Sequence, residues 1–166
     1  MQSLSIPNPA SEPTRSVLRP ETNVKTHREA AQIVLDQWPG EIVWHGFEVG
    51  NVLITGECLK QTPPINPLRR GYELRRHAGR ASIDGGQPNY DKAAALFAVR
   101  GAEPQYWQTV TGGRAIVDDE GMTRWQPDAA ASQAYVKIAG DPAVLAAEIE
   151  ALMIAPPKNP TPGEFQ

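Results

Sequence analysis

The residues best placed to do chemistry stand in two segments far apart in the chain. Asp91 falls on the first turn of an apolar run, Asn89-Tyr90-Asp91-Lys92-Ala93-Ala94-Ala95-Leu96-Phe97-Ala98-Val99-Arg100, behind the loop Asp84-Gly85-Gly86-Gln87-Pro88. α/β enzymes place a carboxylate at such a helix start to hold a metal ion or a sugar hydroxyl. Glu21-Thr22-Asn23, near the other end, adds a second carboxylate and an amide. Together these segments point to a ligand site. Taken alone, Asp91 equally suits a carboxylate that only stabilises its own helix start, by ~0.3 to 1 kcal/mol. Glu21 and Asn23 equally suit a solvated loop.

Other reactive side chains give plainer signals. Cys58 is the single cysteine, so the chain can form no internal disulfide and no cysteine-based zinc site. With no histidine placed to activate it, Cys58 reads as a packed or surface thiol. His27 and His77 lie on helix flanks and His45 follows a strand, where solvated or core-edge histidines are common. Asp118-Asp119-Glu120-Gly121 suits a solvated hairpin turn better than a metal site, because its flanks are strand-like. Trp38, Trp44, Trp107 and Trp125 read as core or hairpin packing.

Composition bounds the setting. The 166 residues are 40% hydrophobic and 21% charged, enough chain for one soluble core. The 16 basic and 19 acidic residues are interspersed, which gives no reason to expect nucleic acid or an anionic membrane as partner. No apolar run approaches a membrane span, and Met1-Gln2-Ser3-Leu4-Ser5-Ile6 lacks the features of a secretory signal, so a cytoplasmic location is expected. Proline-containing stretches at 1–20 and 156–166 read as disordered, leaving residues 21–155 as the folded domain.

Helices and strands alternate between these ends. Thr26-His27-Arg28-Glu29 has capping-box spacing and opens a helix with Ala30, Ala31, Ile33, Val34, Leu35 and Trp38 on its apolar face, stopped by Pro39-Gly40. Ile42-Val43-Trp44 suits a buried parallel strand, and 46–56 a turn into a short helix closed by Gly56. Asn66-Pro67 starts a helix running to about Arg76, with Gly79 as terminator, and the Asp91 helix ends at Gly101. Short strands follow at 106–110, 114–117, 122–125 and 134–138, the last expected to join the antiparallel patch. Asp141-Pro142 caps a final helix with Val144, Leu145, Ile149, Leu152 and Met153 on its apolar side.

Five elements in this order carry a family resemblance: Glu21-Thr22-Asn23, His27-Arg28-Glu29-Ala30-Ala31, Gly46-Phe47-Glu48-Val49-Gly50, Asn66-Pro67 and Tyr90-Asp91. Over about 21–155 the chain resembles the C-terminal portion of the inosine/uridine-preferring nucleoside hydrolases. The resemblance implies an α/β, Rossmann-like core fragment with an appended antiparallel β-hairpin and a closing helix. It also implies calcium-dependent hydrolysis of the N-glycosidic bond of a nucleoside, with Asp91 as a calcium ligand, Glu21 and Asn23 on the ribose hydroxyls and Tyr90 against the base. Tyr90 stands where many members carry a proton-donating histidine, and Thr22 where they carry phenylalanine. Residues 1–20 contain no aspartate, Glu12 being their only acid, so the family's aspartate-rich calcium segment is missing. The expectation is therefore a chain truncated at its N-terminus, weakly active or inactive alone, that self-associates or pairs with a missing N-terminal half. The alternative is a non-catalytic remnant acting as a ligand-binding or interaction module.

Overall fold

A computed structural model describes residues 21–156, so the N-terminal segment and nearly all of the proline-rich tail read from sequence lie outside the described residues. In chain order the elements are α1 (Thr22–Thr26), α2 (Arg28–Gln37), β1 (Ile42–His45), α3 (Phe47–Asn51), β2 (Ile54–Thr55), α4 (Pro67–Leu74), β3 (Arg76–His77), β4 (Arg80–Ala81), β5 (Gln87–Pro88), α5 (Tyr90–Arg100), β6 (Trp107–Val110), β7 (Gly113–Val117), β8 (Thr123–Pro127), β9 (Gln133–Ile138) and α6 (Pro142–Ile154). Two 3-10 turns, Glu57–Gln61 and Ser82–Asp84, complete a mixed α/β chain. It divides into two compact units, one from residues up to Asn51 with Tyr90–Gly140, the other from Val52–Asn89 with the residues after Gly140.

The first unit is organised around β9. This strand pairs in parallel with β1, Ile42 opposite Gln133 through His45 opposite Val136. It also pairs antiparallel with β6, Trp107 opposite Ile138 through Val110 opposite Tyr135. A strand with partners on both edges is the most enclosed, and Ala134, Tyr135 and Val136 are almost wholly buried. The Gln133 carboxamide oxygen accepts from Trp44 Nε1 at 2.9 Å and from the Ala115 N–H at 3.0 Å, tying β1 and β7 to β9. β7 and β8 form their own hairpin. Its turn is the Asp118–Gly121 segment: Asp118 Oδ1 accepts from the N–H groups of Glu120 and Met122 at 3.2 and 2.8 Å, and Gly121 takes a φ of 81°. The acidic cluster is thus a turn, as its flanks suggest.

The second unit has a dense apolar centre in which Leu53, Leu59 and Leu145 are fully buried. α6 packs on β2 and on the Glu57–Gln61 turn, and its Glu150 carboxylate accepts from the Gly56 N–H at 2.9 Å. Both of its longer helices start on a side-chain cap followed by proline. Asn66 Oδ1 accepts from Leu68 N at 2.9 Å and Asp141 Oδ1 from Ala143 N at 2.9 Å.

Several sequence expectations need correction. Thr26 does not cap α2; it ends the separate α1, its hydroxyl donating back to the Thr22 carbonyl at 2.7 Å, and His27 makes the junction with no side-chain cap. The helix after Gly46 stops at Asn51, because Ile54 and Thr55 leave it to pair with Pro88 and Gln87. α4 ends at Leu74: Arg76 and His77 pair with Ala81 and Arg80 across a tight turn in which Ala78 and Gly79 both have positive φ. β9 joins β6 but not the β7–β8 hairpin, and gains the parallel partner β1. Trp38 is exposed, and so are Val144 and Leu152 on α6.

Candidate functional site

Three of the four residues singled out from the sequence, Asn23, Tyr90 and Asp91, border one hollow within the first unit, and Glu21 is not among those lining it. α1 carries Asn23, the α1–α2 junction His27, β1 Val43, Trp44 and His45, and α5 Tyr90 and Asp91, and all of these line this hollow of about 540 Å³. Most of the wall is apolar, formed by Ala30, Ala31, Val34, Leu35 and Ala94. Three consecutive residues of β1 border it although successive side chains of a strand point to opposite faces, so the hollow runs along the strand's edge. That edge is the one away from β9, unpaired among the described residues.

Close packing fixes the α5 end of the site. A Cβ at Gly50 would collide with the ring and Cα of Tyr90, so glycine there lets α3 approach α5 closely. The approach stacks Phe47 on Tyr90, with centroids 5.5 Å apart and planes inclined by 29°, and brings the Tyr90 hydroxyl to 3.4 Å from Asn51 Oδ1. Burial pushes the Tyr90 phenol above its usual value, and the negative charge of Glu21 adds to the effect. Glu21 belongs to the same unit but lies outside the lining of the hollow. Its own carboxyl is raised by burial, against which the N–H groups of Thr22 and Asn23 act.

Sequence reasoning passed over His45 as a solvated or core-edge histidine. The structure makes it the last residue of β1, 9% exposed, with neither ring nitrogen bonded among the described residues. Phe97 and Trp107 meet the ring edge-on at centroid distances of 5.1 and 5.3 Å. Burial lowers its pKa to about 4, so the imidazole is neutral near pH 7. A buried polar group without a partner costs ~1 to 3 kcal/mol. The signal available in sequence was a histidine continuing the apolar run Ile42-Val43-Trp44, where alternation places every second side chain inside.

Among the described residues no three His, Cys, Asp or Glu side chains come together as a metal-holding group. Calcium takes roughly six to eight oxygen ligands, so Asp91 with Asn23 and Glu21 does not make a calcium site by itself. Cys58, in the other unit, is held far from the thiolate form: burial and then the Glu150 charge push its pKa up to about 11. No helix among the described residues is long and apolar enough to cross a membrane. Compared with protein-family models, curated proteins and solved structures, the chain finds no match in any of the three.

Proposed function

We propose that the protein binds a nucleoside or related ribosyl compound in the hollow between α2, β1 and α5, and that the chemistry carried out there is hydrolysis of the N-glycosidic bond. One observation carries the reading. Asn23, Tyr90 and Asp91, chosen from sequence for sugar and base contacts, line the same hollow, and Glu21 lies close enough to Tyr90 for its charge to act on it. Glu21, Asn23 and Asp91 offer the acceptors and donors that ribose hydroxyls require. The apolar wall and the Tyr90 ring suit a planar base. As the bond to the base breaks, positive charge grows on the sugar ring, and a neighbouring carboxylate lowers its energy. Water takes the anomeric carbon and the departing base takes a proton. Tyr90, held above its usual pKa, is a poor source of that proton near neutral pH, so turnover by this chain is slow or absent.

The test is calorimetric titration of the purified protein with inosine, uridine and free ribose, with and without millimolar calcium, beside an assay for released ribose. Binding of a nucleoside is expected, with little or no hydrolysis. Asp91→Ala should weaken it by about tenfold or more, the loss of a hydrogen bond to a charged group. Asp119→Ala, in the solvated turn, should leave it unchanged. Equal losses in the two variants would place the site elsewhere.

A second reading rests on the unpaired edge of β1. An extended segment of a partner chain could add a strand there and cover the apolar wall, so that the protein serves as an interaction module. Sedimentation of the protein alone tests its simplest form: concentration-dependent association, with slowed amide exchange along Ile42–His45, favours the module; a monomer up to high concentration argues against self-pairing.

A further inference from the structure

We propose that His45 is the group that reads the base: its imidazole supplies the hydrogen bond that selects a heterocycle with a polar edge over a bare sugar. The proposal rests on the nucleoside reading of the same hollow and extends it to a residue that neither the sequence motifs nor the resemblance marked.

Three observations lead to it. His45 lines the hollow with Asn23, Tyr90 and Asp91. It is nine-tenths buried, yet both ring nitrogens lack a partner among the described residues. Its ring packs in T-shaped pairs with Phe97 and Trp107, an environment that a phenyl ring would also suit without burying two polar atoms. A group in that position gains most from a ligand that brings a partner to it. Neutral imidazole has one donor and one acceptor nitrogen, and the two tautomers exchange these roles. It can therefore donate to a base carbonyl or accept from a base N–H, as in hypoxanthine or uracil. Both nitrogens are covered by neighbouring atoms, so engagement needs the ring to turn about its Cβ–Cγ bond and present a nitrogen to the hollow. Ribose, held by Glu21, Asn23 and Asp91, does not call on it.

His45→Phe separates this role from packing. The variant should unfold at a higher temperature than the wild type, since the unpaired nitrogens are gone, and bind inosine and uridine about tenfold more weakly with affinity for free ribose unchanged. Inosine affinity equal to that of the wild type overturns the proposal while leaving the nucleoside reading intact. Wild-type protein that binds neither nucleoside overturns both. Should His45→Phe not fold, nitrogen NMR of the wild-type histidine rings decides. Inosine must shift the His45 ring nitrogens and ribose must not; no shift with inosine overturns the proposal. His45→Gln, which keeps a donor and an acceptor, should lose less affinity than His45→Phe.

Discussion

Helices α2 and α6 put their apolar residues to opposite uses. α6 is capped by Asp141 and sends Leu145, Ile149 and Met153 into the core of its unit. α2 carries Ala30, Ala31, Ile33, Val34 and Leu35, yet none of its residues is buried, and four of these five border the hollow. Burial stabilises by about 25 cal/mol for each Å² of apolar surface removed from water. α6 has realised that contribution in folding; α2 leaves it for whatever enters the hollow. One helix therefore holds its unit together, and the other leaves room for a ligand in the unit that carries the candidate site.

The sharpest test of that contrast is truncation. Leu145→Ala should cost ~2 to 5 kcal/mol in urea unfolding, because Leu145 is fully buried and its removal leaves a cavity. Val34→Ala should cost less than ~0.5 kcal/mol, since Val34 is 46% exposed. Comparable losses would mean that the α2 face is packed in solution.

A pH series probes the buried imidazole of the same region. Its folded pKa of about 4 lies below the ordinary 6.5. The unfolded chain therefore takes up a proton that the folded chain refuses as pH falls from about 6.5 towards 4. Stability should be fully present above that window and decline through it by ~2 to 4 kcal/mol. Glu21, raised by burial, contributes with the opposite sign just above its usual value. Comparing urea unfolding of the wild type with His45→Phe isolates the histidine: the acid decline should shrink in the variant.

The smallest effect concerns the helix starts. Asp141→Ala removes a side-chain cap and should cost ~0.5 to 2 kcal/mol. His27→Ala removes no cap hydrogen bond from α2 and should cost almost nothing by this route. Paired thermal melts of the two variants check this.

Features written in short range were legible. Asp118 to Gly121 makes its own turn, one carboxylate accepting two backbone hydrogen bonds, so the hairpin could be read from four residues. Asn66-Pro67, Asp141-Pro142 and Gly101 likewise mark helix ends by local chemistry. The misread stretches are those where pairing with distant residues overrode local preference. Ile54 and Thr55 left a helical context to pair with Pro88 and Gln87. Thr26 is the exception, since a competing local bond, from its hydroxyl to the Thr22 carbonyl one turn back, ends it in α1 instead of capping α2.

The sequence alone carried the mixed α/β alternation, the helix ends and the residue types suited to sugar and base contacts, because these depend on neighbours a few positions away. It left open whether Asp91 was more than a helix-start acid and whether Glu21 and Asn23 were more than solvated loop residues. Only the folded chain places Asn23, Tyr90 and Asp91 on one hollow, since their proximity depends on how α1 and α5 pack beside β1. The parallel register of β1 with β9 is likewise a tertiary outcome, set by backbone pairing between residues remote in sequence. His45 shows the difference most plainly: an ordinary histidine in the sequence becomes a neutral, unpartnered ring because Phe97 and Trp107 close around it and exclude the water that would have satisfied it.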